Sequence, residues 1–560
     1  MKKHIFFFTC LFFIQSISYS QTFEWAVRMG NIGFEKIGNI KVDKWGNLYT
    51  IGTFQSAADF DPGYDEKILT PKGAEDIFIQ KLDLYGNLLW AKSLGGESHE
   101  PYISMELDDL GYVYVSGVFA GKADFGLNSN RSADLDVFLL KLTQDGDLLW
   151  AKSWGGSSET EGRDITIDKN SNIYLTGSYS GRINFNPGSG SDDFVASAGP
   201  NMFILKLDSD GNFIWAKDIN ASKTITGNSI TTDESANVYL TGNYIGRVDF
   251  NPDSDLNNDI LDTKSYNNAF ILKLNSEGNF SWVSGVGGEN GSERSYSIVV
   301  DEEGNSYTIG YFSDTLAFNS QSGQEPVIPV GSDDIFVQKL DPAGNLLWVK
   351  AMGGQMRDIG FDIAVDKQEY IYTTGIFYDT VDFGPNAGIN EKNSVGAGDI
   401  FIQKLNPDGQ LLFVESLGSE NGDAGHAITV DNWGNIYTAG VFRREIDFNP
   451  DSSLTNILSA GTSDNIFILK LSQKSYNEES FPPVKLYPNP TNEKFYIELP
   501  EEIESANVKI MDVAGRVVYK THIDNIINKI LLSNFPKGMY YINLTANTGH
   551  KYYGRIILGE

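Results

Sequence analysis

Five short stretches of this 560-residue chain set acids close to bases: His99 and Glu100, Glu161 and Arg163, Glu293 and Arg294, Arg357 and Asp358, and Asp423 with His426. Such groups can hold a polar ligand through charge-assisted hydrogen bonds. Two carboxylates flanking a glycosidic bond can also hydrolyse it, one as acid and the other as base or nucleophile. Other catalytic chemistry has less to work with. Of the five histidines, His4, His522 and His550 lie far along the chain from these stretches, and the one cysteine, Cys10, sits in an N-terminal apolar run. No HExxH helix, nucleophile elbow or phosphate loop is present in the sequence. No catalytic residue, cofactor or metal ligand is assigned. The ten residues are candidate partner-binding positions, with a solvated rim as the bland alternative.

What positions them is a repeat. Residues 76–96 read DIFIQKLDLYGNLLWAKSLGG, and residues 136–156 read DVFLLKLTQDGDLLWAKSWGG. Trp25, Trp90, Trp150, Trp215, Trp282 and Trp348, with Phe413 as the seventh, recur about every 65 residues. A turn segment starts at Asp43, Asp108, Asp168, Asp233, Asp301, Asp366 and Asp431, and an apolar segment like IFIQKL also occurs seven times. Self-similarity at a fixed period marks a solenoid or a propeller. β-Branched and aromatic residues between Gly, Asn and Asp turns make the segments strands. There are four per repeat, lettered A to D in chain order. Both faces are largely apolar, as in sheets packed on both sides. A β-helix would repeat at a much shorter period, so a propeller of four-stranded blades fits better.

The ends indicate closure. The first strand, 23–28, is a D strand with no C before it, and the last, 466–471, is a C strand with no D after it. Their pairing completes a seventh blade and removes two open edges. The A–B and C–D turns are short and uniform and share one face. The B–C and D–A connections are longer, more varied and lie on the other. The ten candidates sit on the D–A segments, and binding residues commonly ride on varied loops held by a rigid scaffold.

The repeated aromatics from Trp25 to Phe413 are expected to dock neighbouring blades. A Lys recurs in every C strand, from Lys81 to Lys470, on an apolar face. A buried ammonium needs a partner, so it is expected to pair with the Asp that ends strand A. The Asp-x-x-Gly-Asn segments read as turns capped by Asp. They lack the alternating ligands and distal Glu of a calcium loop.

The N-terminus has a basic head at Lys2 and Lys3, an apolar run over 5–14 and small polar residues to Ser20. This is the pattern of a signal peptide, residues 1–20, with cleavage expected between Ser20 and Gln21. The run is too short to span a membrane. Beyond it the chain carries 41 basic and 74 acidic residues, a net charge of −33, while 485–560 carry +1. Residues 21–484 therefore hold −34, a surface that repels nucleic acid and anionic membrane.

These repeats, with DFDPG at 59–63, DFNP at 249–252 and 447–450 and the KLDxxGNLLWAK pattern, resemble the bacterial seven-bladed β-propeller repeat family. That resemblance implies a fold and no common ligand or reaction. After Leu471 the composition changes, and SQKSYNEESFPP reads as a linker, 473–484. Short strands follow at about 494–499, 507–512, 516–520, 539–544 and 552–558, which suits a small Ig-like β-sandwich. Leu486-Tyr487-Pro488-Asn489-Pro490, the VAGR segment with Gly515, and LSNFPKGMY with Gly538 and Tyr540 resemble the type A C-terminal sorting domain of type IX secretion. That resemblance implies passage through the periplasm and outer membrane, removal of residues 485–560 near the linker, and often attachment to a surface glycolipid.

The expectation is an all-β protein: a seven-bladed propeller over 21–472, closed by its terminal strands, and a sorting domain over 485–560. It would serve at the cell surface or outside the cell as a non-enzymatic binding or adhesion module for a protein or glycan. The alternative is a carbohydrate-active hydrolase using loop-face carboxylates.

Overall fold

In the computed structural model the described residues are 20–474 and 485–558, apart from 31–32, 64, 97–101, 128–134, 187–192, 252–258, 264–265, 289, 317–325, 385–389, 450–454, 488–493, 500–502, 504, 513–516, 526, 533–534 and 548–550. Every regular element described is a strand. Two compact units are present, Gln21–Gln473 and Lys474–Glu560.

The first unit holds seven four-stranded antiparallel sheets. Blade 1 is Glu35–Val42, Leu48–Phe54, Asp76–Leu82 and Leu88–Leu94, and the next five blades repeat that order. The seventh takes Ala424–Val430, Ile436–Phe442 and Asn465–Lys474 from the end of the unit and Ser20–Met29 from its start. Each A strand touches the A strands on either side, blade 7 touches blade 1, and the ring is closed. The terminal strands also meet through side chains. Arg28 donates to Asn465 Oδ1 at 3.0 Å, and Ser472 donates to Glu24 at 2.7 Å.

The repeated words have local reasons. The Asp that opens strand C is buried: Asp76 accepts from Lys72 N, Gly73 N and Ser93 Oγ. A side chain at Gly95 would strike that carboxylate, as one at Gly155, Gly353 or Gly418 would strike Asp136, Asp334 or Asp399. This explains the glycine that follows strand D. Among the described residues, the Phe of six of the xDF-like segments packs on the Phe of strand C, with centroids 4.7 Å apart for Phe60–Phe78 and 4.9 Å for Phe448–Phe467.

Neighbouring blades are joined by the Trp and the Lys together. Trp90 Nε1 and Lys81 Nζ both donate to Gln144 O, at 3.0 and 3.4 Å, in the C–D turn of the next blade. Trp282 and Lys273 do the same at Pro342 O. At the closure, Trp25 from the first strand and Lys470 from the last converge on Leu84 O. Trp25 also lies against Gly86, which has φ +82° and where a Cβ would come within 3.2 Å of the indole.

The expected Lys–Asp pairing is corrected. Lys81 lies 4.7 Å over the Tyr49 ring and Lys470 5.4 Å over Tyr437, so an aromatic face and a carbonyl receive the ammonium. The Asp is already occupied: Asp43 accepts from Trp45 N, Asn47 N and Asn47 Nδ2. Among the described residues only Lys339 comes within 4 Å of its strand-A Asp, at 3.9 Å from Asp301. The turn reading of Asp-x-x-Gly-Asn agrees with these bonds.

The second unit pairs Lys485–Tyr487, Lys494–Glu498 and Ile527–Leu531 in one sheet. Val517–Ile523, Ala506–Asp512, Gly538–Ala546 and Lys551–Leu558 form the other. Phe495, Ile497, Val508, Ile510, Ile542, Leu544 and Ile556 make one buried core from both sheets. Tyr540 is buried and donates to Pro536 O at 2.5 Å, and Gly538 has φ +145°. These two motif residues thus shape the turn into a strand. Pro488, Asn489, Pro490 and Gly515 lie outside the described residues, as does the side chain of Tyr487.

Candidate functional site

The seven A strands surround a channel. A cavity of about 270 Å³ there is lined by residues of every blade. Four residues before the Asp that ends each A strand stand Asn39, Ser104, Asp164, Ser229, Ser297, Asp362 and Ala427. Most of these small polar groups are tied round the axis. Ser104 Oγ donates to Asp164 at 2.7 Å, and Ile230 N of the next blade donates to its other oxygen at 2.8 Å. Asp362 accepts from Ser297 Oγ at 2.7 Å and from Ile428 N at 2.8 Å. Lys41 and Glu106 pair at 2.7 Å. Burial pushes the Asp362 carboxyl up to about 6 despite these bonds, and pushes that of Asp164 up as well.

One residue nearer the loop face, six of the A strands carry a β-bulge. The register shifts skip Gly38, Arg163, Asn228, Tyr296, Phe361 and His426. Ile103 is the matching residue of blade 2. A bulge bends the strand and re-aims a side chain. These residues meet across blade boundaries at the loop-side mouth of the channel. Tyr296 and Phe361 are 5.5 Å apart and Phe361 and His426 4.9 Å, ring centroid to centroid. Arg163 stacks 4.3 Å over Tyr102, and its Nη2 pairs with Glu161 at 2.8 Å. Asn228 donates to Asn243 and to Ser295 O, both at 2.8 Å. No two of the seven residues are alike, whereas the Asp five positions further on is present in every blade.

The ten candidates divide by position. Arg163 and His426 belong to the mouth itself, and Glu161 is held there by Arg163. Burial holds the His426 imidazole down at about 4, so it is neutral at ordinary pH. Arg294 precedes Tyr296, and its Nε is buried with no acceptor. Arg357 is half-exposed, pairs with Asp333 at 2.8 Å and stacks 5.4 Å over Tyr311. His99 and Glu100 lie outside the described residues.

Glu293, Asp358 and Asp423 are corrections. All three side chains are fully buried. Asp358 accepts from Gly354 N and Tyr378 N, and Asp423 from Ser419 N and Arg443 N. They staple the D–A loop to the sheet, because loop amides turned away from water need acceptors. Their burial pushes Glu293 and Asp358 up to about 7. Sequence reading grouped them with the mouth because acids and bases alternate there. It missed Tyr102, Asn228, Tyr296 and Phe361, although comparing the seven repeats column by column shows that the position five before the invariant Asp holds a different residue in every blade.

The fold and the tail define an exported β-propeller protein. Residues 150–178 match the family model described as Beta-propeller repeat, and residues 485–559 match the Secretion system C-terminal sorting domain. The chain thus carries a propeller repeat and a type IX sorting domain, which directs it to the cell surface or into the medium. It is similar to an uncharacterized WD repeat-containing protein of Acanthamoeba polyphaga mimivirus, 22% identical over 65% of this chain and 32% of that one. An ulvan lyase of Nonlabens ulvanivorans is 34% identical over 15% of this chain and 16% of its own. The chain therefore spans a third or less of these relatives. The WD40 domain of Neurospora crassa Pan2 aligns over 83% of this chain and 98% of that domain, at 9% identity and a TM-score of 0.37. Among the described residues no helix is long and apolar enough to cross a membrane, and no group of three or more His, Cys, Asp or Glu could hold a metal ion.

Proposed function

We propose that the propeller is a non-enzymatic binding module which the type IX machinery delivers through residues 485–560, and that it engages its partner at the loop-side mouth of the channel. The observation that carries this reading is the bulge position. The Asp that ends strand A recurs in all seven blades, as capping the turn demands. The bulge position changes in every blade, and its aromatic members Tyr296, Phe361 and His426 are half-buried and in mutual contact. A symmetric scaffold with one asymmetric ring fits recognition of an asymmetric partner. Hydrolysis has weaker support, because Glu293, Asp358 and Asp423 are occupied by backbone amides and Glu161 by Arg163.

Arrays of glycans and surface proteins probed with the chain from Gln21 onward test the proposal. Binding without turnover is expected, and Arg163→Glu should reduce it. Turnover of a polysaccharide would favour the hydrolase instead. Delivery has its own test: truncation after Pro483 should leave the propeller in the periplasm, and surface delivery of that truncation would remove the role of the tail.

A further inference from the structure

We propose that the loop-side mouth binds the end of a neutral saccharide chain, with one sugar ring seated on Phe361 and flanked by Tyr296, and its hydroxyls directed to Arg163, Asn228 and the polar belt below. This rests on the binding role proposed above and assigns it a ligand class.

A pyranose is apolar on its C–H faces and polar round its rim. A site for it needs a flat apolar wall, fixed donors opposite and acceptors beneath. The wall is Phe361 with His426, whose ring planes lie 33° apart, and Tyr296 stands at 65° to Phe361 and flanks it from the preceding blade. The neutral imidazole extends that wall without adding charge. Opposite, the Arg163 guanidinium is fixed between the Tyr102 ring and Glu161. Tyr102 is itself held at φ +56° and is 44% exposed. A left-handed backbone is costly for an aromatic residue, and such strain is commonly retained at binding sites. Beneath the mouth, the cavity presents Asn39, whose Oδ1 is buried with no hydrogen-bond partner. A hydroxyl donor would satisfy it.

Charge separates neutral from acidic sugars. The cavity sets Glu106, Asp164 and Asp362 against Lys41 alone, within a strongly acidic propeller. An anionic ring would be repelled there. An aromatic peptide side chain could use the wall, but would bring no hydroxyl to the unpartnered Asn39 Oδ1 beneath it.

The test is isothermal titration of the chain from Gln21 onward with short neutral gluco-, galacto-, manno- and xylo-oligosaccharides. Uronate oligosaccharides and aromatic peptides are run in parallel. At least one neutral sugar should bind, and Tyr296→Leu and Phe361→Leu should each weaken it about tenfold. Leu keeps apolar bulk and removes the flat face, and Phe361→Trp should restore or tighten binding. Neutral-sugar binding that both Leu variants leave intact would overturn the site while leaving the binding role standing. Preference for uronates or aromatic peptides would overturn the ligand class. An array partner bound with no neutral sugar recognised would overturn this inference and not the module. Failure of the arrays and the titrations alike would remove both.

Discussion

The two ends of the innermost strands obey opposite rules. At the turn end, seven Asp residues cap seven tight turns, and the nearby Tyr, Lys and Trp recur with them. At the loop end, one bulged position holds Gly38, Ile103, Arg163, Asn228, Tyr296, Phe361 and His426. The turn end builds a similar latch in most blades: Trp25, Trp90, Trp282 and Trp348 donate to a carbonyl in the next blade's turn, and Lys81, Lys141, Lys206, Lys273 and Lys470 do so too. The loop end has no such shared duty beyond its buried acid staples. Repetition inside one chain therefore separates what packing fixes from what packing leaves free.

Substitutions at the two ends can break or sharpen this contrast. The largest loss is expected from Trp25→Ala, which removes the bond to Leu84 O and the contacts with Gly86 and Tyr437 at the closing blade. Urea denaturation should show a loss of about 3 kcal/mol, and an unchanged midpoint would count against the clasp. Asp431→Ala should come next, at about 2 kcal/mol. It strips acceptors from Trp433 N, Asn435 N and Asn435 Nδ2. Its effect should exceed that of any mouth substitution.

The staples carry a pH signature. Glu293 and Asp358 have pKa values raised to about 7 by burial, above those of an unfolded carboxylate. In the interval between, the folded state binds more protons. Their favourable contribution is full below about pH 4 and is lost as pH rises through 7. Glu293→Gln should flatten that decline by about 1–2 kcal/mol between pH 5 and 7.5. An identical slope in the variant would contradict the protonated staple. The smallest stability effect is expected at Arg163→Ala, below about 0.5 kcal/mol, although binding should suffer. A loss matching that of Asp431→Ala would make the mouth part of the scaffold.

Periodicity in the sequence was enough to determine the blades, the count of repeated segments and the incomplete terminal strands, because strand alternation and turn chemistry are local, whereas the sorting tail was legible through its resemblance to a known family. The tail strand Ile527–Leu531 escaped notice, since INKIL alternates over only five residues. Tertiary structure alone decided which polar groups met. Lys81 and Asp43 are near in every repeat, yet the Asp is taken by its own turn and the Lys by a Tyr face and a carbonyl 63 residues on. Asp358 and Arg357 are adjacent in sequence, yet one is buried on backbone amides and the other is half-exposed. Burial is a property of what folds over a residue: Phe361 and His426 meet across a blade boundary at bulged positions, while Asp423, three residues before His426, is buried on the amides of Ser419 and Arg443.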